Sequence, residues 1–245
     1  MKNKISGKIV ALLLTLIIVA TSGMPLYAKE TGDKANSFRY ENGQSIAKAV
    51  PFSTLSPNAW KKIDGKYYSG DGSVIEGAVA KGIDVSHHQG TVDWKKAKED
   101  GVEFAIIRCG FGMNQTKQDD AQWFNNVKGC EENNIPYGVY LYSYADTVKK
   151  AQSEAEHVLR LIKGHTLAYP VYYDIEEKAV LNKLTAEQLG KIAATFVNKV
   201  KAEGYQTGIY SNKSNFETFL TDSQFSQWNK WVAQYNSAAC TYKGT

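Results

Sequence analysis

Two carboxylates stand two residues apart at the end of an apolar run: Tyr169-Pro170-Val171-Tyr172-Tyr173-Asp174-Ile175-Glu176-Glu177. In a strand, side chains alternate faces. Asp174 and Glu176 then point the same way with Cα atoms roughly 6.5 Å apart, while Ile175 and Glu177 face away. Two acids on one face repel each other, and one is driven toward a raised pKa. Such a pair offers a proton donor beside a permanent anion, the combination that glycoside hydrolysis uses. A strand running into a solvated acidic loop reads the same way when taken alone.

A second stretch bears on that choice: Lys81-Gly82-Ile83-Asp84-Val85-Ser86-His87-His88-Gln89-Gly90. Asp84 ends an apolar run. An unpaired carboxylate buried there is costly, so it should serve as acceptor or anion. His87 and His88 are adjacent, and adjacent side chains on extended backbone diverge. With no third ligand at a metal-binding spacing, neither a metal nor another cofactor is expected. His157 and His165 read as helix or loop surface residues.

The elements that must position these acids alternate. Strands are expected at 79–85, 103–109, 136–144, 169–177, 206–211 and 231–235, with helices at 94–100, 119–133, 147–163 and 185–203. Gly101 and Gly204 mark helix ends. Strands separated by helices imply a parallel sheet, and five βα units in a row favour a barrel over an open sheet. No Gly-rich phosphate loop follows the first strand, which disfavours a dinucleotide fold. Chemistry in a parallel barrel sits at the carboxyl ends of the strands. Those ends bring Asp84, Ser86 and His88, then Arg108, Tyr142 and Tyr144, Asp174 and Glu176, Tyr210, and Gln234 with Tyr235 to one rim.

The N-terminus reads as an export signal. Lys2, Lys4 and Lys8 precede an apolar run at 9–20, and Leu26-Tyr27-Ala28 resembles a cleavage site. The run is shorter than a membrane span needs, so no stable span is expected after cleavage. Removing residues 1–28 lowers the formal charge of the 245-residue chain from +4 to +1. That balance gives no reason to expect a nucleic-acid partner. Residues 29–78 read as a polar spacer containing a short hairpin with an Asp64-Gly65 turn. The hairpin resembles one cell-wall-binding repeat of the choline-binding type, and a lone copy is expected to act as a packing arm. Three cysteines leave at least one unpaired within the chain. Cys109 and Cys130 are expected at opposite barrel ends, which argues against their pairing. The 15 Tyr and 5 Trp suit a cleft that takes sugar rings.

Gly82-Ile83-Asp84-Val85-Ser86-His87-His88-Gln89-Gly90, with Val92-Asp93-Trp94, resembles the opening of the family-25 glycoside hydrolase lysozymes. The stretches 104–108, 138–144, 170–176, 209–211 and 231–235 fall in that family's order. The resemblance covers roughly residues 79–240. It implies an irregular TIM-like β/α barrel, with five βα units followed by plain strands, over 79–245. It implies a lysozyme that cuts the β-1,4 bond between N-acetylmuramic acid and N-acetylglucosamine in peptidoglycan. By position, Glu176 is then the general acid, Asp174 its anionic neighbour, and Asp84 a support from the first strand. Tyr142, Tyr210, Gln234 and His88 are the implied substrate-binding residues. The nucleophile stays open among the substrate's acetamido group, a side chain and an activated water. The family continues with further strands carrying another acid, whereas this chain stops at Thr245, so a barrel lacking its last strands is expected. The expected protein is secreted or wall-located and monomeric, with peptidoglycan glycan strands as partner. The alternative is a non-catalytic peptidoglycan-binding module. A chitinase-like pattern, with spaced acids preceded by Asp-Gly, is absent from Pro170–Tyr173.

Overall fold

The computed structural model describes residues 40–41, 44–45, 61–69, 72–234 and 240–244. The export signal, Trp60, Tyr235 and most of the polar spacer lie outside the described residues. Two short strands, β1 (Tyr40–Glu41) and β2 (Gln44–Ser45), pair antiparallel. The expected hairpin follows as β3 (Lys61–Ile63) and β4 (Lys66–Tyr68). Its turn residues Asp64 and Gly65 both have positive φ, 49° and 76°, as a two-residue hairpin turn requires. Tyr67 anchors the hairpin. It is buried, and its hydroxyl donates to Glu103 Oε2 at 2.6 Å while lying 3.0 Å from the Val79 carbonyl.

The main body alternates β5 (Gly82–Val85), α1 (Trp94–Glu99), β6 (Phe104–Phe111), α2 (Trp123–Glu132), β7 (Tyr137–Tyr142), α3 (Val148–Ile162) and β8 (Val171–Asp174). It continues with α4 (Lys178–Leu181), α5 (Ala186–Ala202), β9 (Thr207–Asn212), α6 (Lys213–Thr218) and β10 (Asn229–Ala233). Local chemistry sets the helix ends. Asp93, Thr147 and Thr185 cap α1, α3 and α5 through their side-chain oxygens. Gly101 and Gly204 take φ 88° just past α1 and α5, where other residues would be strained. The inward face of α5 buries Leu189, Ile192, Ala193, Phe196, Val197 and Val200 at helical spacing. Phe196 stacks on Tyr173 of β8 with ring centroids 3.9 Å apart.

All six core strands pair in parallel, in the order β5-β6-β7-β8-β9-β10. The sheet is strongly curled. Trp231 of β10 packs edge-on against Tyr140 of β7 at 5.6 Å. Strands three apart in a flat sheet would be roughly 14 Å from each other. Gly208 of β9 assists, because a Cβ there would lie 2.6 Å from Tyr172. Its absence lets Tyr172 of β8 lean across β9 to Trp231, at 5.4 Å. The result is the expected mixed α/β, TIM-like architecture as a half-barrel. Register then sets one row across five strands: Phe111, Tyr142, Asp174, Tyr210 and Trp231. A bulge between Arg108 and Gly110 brings Phe111 into that row.

Several boundaries differ from expectation for identifiable reasons. The first core strand starts at Gly82 instead of residue 79. Val79 is 88% exposed, its carbonyl lies against the Tyr67 hydroxyl, and the Lys81 N–H goes to Glu103. Helix α2 starts at Trp123 instead of 119, since Asp119 is extended and both Asp119 and Asp120 bind basic side chains. Strand β8 stops at Asp174, because Glu177 turns back to cap α4 through the Ala179 N–H. The last strand lies two residues earlier than expected. No helix among the described residues is long and apolar enough to cross a membrane.

Candidate active site

Asp174 sits in the middle of the cross-strand row, between Tyr142 and Tyr210. It is 2% exposed, and its Oδ1 has no hydrogen-bond partner among the described residues. Burial pushes its carboxyl well above the usual range. The Glu176 charge adds to this, the Arg108 guanidinium opposes it, and Asp84 adds a further push. Glu176 lies two residues beyond, past the strand end, and is partly exposed. Of the two acids, Asp174 is thus the one that burial holds back from ionising, while Glu176 stays closer to solvent.

Asp84 comes from β5, the edge strand three away from β8. The residue is exposed, yet protein atoms crowd its carboxyl, and this desolvation raises it to about 6. Arg108 is buried and completes the local charge balance. Its Nε donates to Asp120 Oδ2 at 2.7 Å, and its terminal nitrogen donates to His87 Nδ1. Burial pushes Asp120 up, but its contacts with His87, the Arg108 charge and the Gln122 N–H outweigh it and hold that carboxyl below its usual range. The pair is a buried ion bridge whose carboxylate also accepts the His87 backbone N–H at 3.0 Å.

Tyr142 is buried. Its hydroxyl donates to Glu177 Oε2 at 3.3 Å, and burial followed by the charges of Glu176, Asp174 and Glu177 keeps it un-ionised. Tyr210 packs on Trp231 at 4.4 Å with its ring partly exposed. Gln234 follows β10, but its Oε1 accepts the Thr241 N–H at 2.7 Å and its hydroxyl at 3.2 Å. His88 is partly buried beside Arg108, and desolvation, helped by the Arg108 charge, lowers its pKa to about 4.

Three histidine expectations need correction. His87 and His88 lie on a short 3-10 turn, not on extended backbone, and their rings come together at 4.0 Å instead of diverging. His157 is fully buried and not on the surface. The α3 face that carries it packs on the end of β6, where its Nδ1 meets the Gly112 carbonyl at 2.9 Å and its Nε2 meets Asp119 at 2.8 Å. His165 is partly buried and pairs with Glu131 at 3.0 Å. Cys109 and Cys130 are both buried and free. No group of three or more metal-ligating side chains occurs among the described residues.

Sequence reasoning missed Asp120, Glu177 and Trp231. The doubled Asp119-Asp120 before a helix was a signal for the first. Trp231 became visible as part of the site only once register was known.

Carboxylates gather at the carboxyl end of a curled parallel sheet, walled by tyrosines, which defines the chain's class as a TIM-like half-barrel with an acidic rim. The comparisons narrow the class. Residues 83–244 match the sequence profile of Glycosyl hydrolases family 25, and the chain belongs to that family. The autolytic lysozyme of Clostridium acetobutylicum is 28% identical over 155 residues, covering 63% of this chain and 45% of that protein. The modular autolysin LytC from Streptococcus pneumoniae, solved in complex with a synthetic peptidoglycan ligand, superposes with a TM-score of 0.65 at 31% identity. That match covers 76% of this chain and 45% of LytC. A family 25 glycosyl hydrolase from Bacillus anthracis shares the fold, with a TM-score of 0.56 at 20% identity over 62% of this chain and 69% of its own. The chain thus spans less than half the length of the first two relatives.

Proposed function

We propose that this protein is a lysozyme that hydrolyses the β-1,4 bond between N-acetylmuramic acid and N-acetylglucosamine in peptidoglycan, acting outside the cell as a monomer. The observation that carries the reading is the carboxyl pair Asp174 and Glu176 at the sheet's carboxyl end, in a chain of family 25. Glu176 is the general acid. A bound glycan covers Glu176 and strips its water, which favours its protonated form. Glu176 delivers its proton to the leaving oxygen. Asp174 is left as the anion facing the positive charge that develops on the sugar. Asp84 supports the negative field from β5. Tyr142, Tyr210, Gln234 and His88 line the sugar path, Gln234 by exchanging Thr241 for substrate. The export signal at 1–28 and a catalytic unit spanning 79–245 belong to the same reading.

Turbidity loss of purified cell walls tests it, with product analysis for new N-acetylmuramic acid reducing ends. The chain clears walls, and Glu176→Gln slows clearing by roughly 10²–10⁴-fold with the fold intact. An inactive parent chain, or an equally active Gln variant, overturns the reading.

A further inference from the structure

The row through Asp174 does not end at Tyr142. Its β6 member, Phe111, lies beside Tyr142 in register and is partly exposed. Tyr144, just past β7, meets Phe111 edge-on at 6.4 Å and Tyr142 at 5.0 Å. The three rings form a continuous step leading away from the acids toward β6. We infer that Phe111 and Tyr144 form a further sugar subsite, which stacks an uncharged N-acetylated pyranose of the glycan strand outside the two sugars flanking the cleaved bond. The inference rests on the lysozyme reading for the direction of the strand.

Two buried ionisable side chains that the acid pair does not use hold this step in place. Glu154 of α3 is fully buried and gathers the Tyr144 N–H at 2.9 Å, Ser143 Oγ at 2.7 Å and the Tyr173 hydroxyl at 2.6 Å. His157, one turn of α3 further on, holds the Gly112 carbonyl, while the Gly112 N–H donates to the Tyr142 carbonyl at 2.8 Å. Gly112 has φ 62°. A Cβ there would run into Gln118 and come within 3.2 Å of the Tyr144 ring. Burying an ionisable group is costly unless its geometry is satisfied throughout. Here that cost goes into fixing residues 111–112 and 143–144, and so into orienting two partly exposed rings in advance. Preorganised rings lose little freedom on binding. The neighbouring Asp174, Glu176 and Glu177 disfavour an anionic occupant, whereas the apolar face of a neutral sugar suits an aromatic ledge.

Binding measured in a Glu176→Gln background, where turnover is blocked, tests the subsite. The probes are peptide-free di-, tetra- and hexasaccharides of alternating N-acetylglucosamine and N-acetylmuramic acid, titrated by tryptophan fluorescence. Affinity rises with length in this background. Phe111→Ala and Tyr144→Ala lose about two- to tenfold on the longest oligomer and leave the disaccharide unchanged. Phe111→Tyr and Tyr144→Phe keep the length dependence, and circular dichroism confirms the fold of each variant. Unaltered length dependence in both Ala variants, or no binding of any oligomer, overturns the inference. Length-dependent binding by a parent that never clears walls overturns the lysozyme reading alone.

Discussion

Tyr142 lies opposite Asp174 on the neighbouring strand, yet its hydroxyl passes that carboxylate and donates to Glu177 at 3.3 Å. The ring thus forms one wall of the buried acid, and its tip ties β7 to the turn that carries Glu176. Tyr142→Phe keeps the wall and removes the tie. It is expected to cost about 1 kcal/mol of stability by urea denaturation and to slow wall clearing several-fold. A variant matching the parent in both would show that the hydrogen bond positions nothing.

Asp174→Asn removes a carboxyl whose burial disfavours its charged form. The variant should fold with a melting temperature at least equal to the parent's at neutral pH, since it removes a buried group that resists ionisation. Wall clearing should fall by roughly 10²-fold or more, because an amide cannot become the anion that the transition state needs. Thermal melts beside turbidity rates check both halves. A marked drop in melting temperature would contradict a folding cost from burying that carboxyl.

Glu154 makes stability depend on pH in a stated direction. Burial raises its carboxyl from 4.5 to about 7 against the hydrogen bonds it accepts. The folded state therefore holds a proton that the unfolded state has released. This contribution is fully present below about 4.5 and is lost as pH rises through about 7. The span corresponds to a loss on the order of 3 kcal/mol at most. Glu154→Gln should flatten the pH dependence of urea stability between those limits. An unchanged slope would remove Glu154 as its source.

The hairpin anchor is open to a proteolytic test. Tyr67 and Lys62 both reach Glu103, whose C-terminal neighbours lead into the core of β6. Tyr67→Ala should release β3 and β4 and expose Lys61, Lys62 and Lys66 to trypsin, giving early cleavage there that the parent resists. Equal cleavage rates would mean that the contact does not hold the hairpin down.

The alternation of apolar strands with amphipathic helices could be read from sequence because each element obeys its own period. So could the hairpin turn, where Asp64-Gly65 leaves few conformations open. The carboxylates were found by position at strand ends. Which of them the curled sheet buries was not, because that is a property of packing. His157 was misplaced for the same reason. A histidine in a polar-looking helix shows its burial only when its partners, Gly112 and Asp119, arrive from 38 or more residues away.

The irregularity in β6 has a consequence for how such an enzyme could change. Arg108 pairs with Tyr140, and after the bulge Gly110 pairs with Leu141 and Phe111 with Tyr142. Cys109 is the residue left over, and its carbonyl accepts the Asp120 N–H at 2.9 Å. Were the strand to run in unbroken register, with Cys109 paired to Leu141, Gly110 would face Tyr142 and Phe111 would turn through the sheet. The bulge thus decides whether a ring or a bare backbone borders the acids. Across related chains, keeping or losing this one irregularity would change that border without any change in residue type.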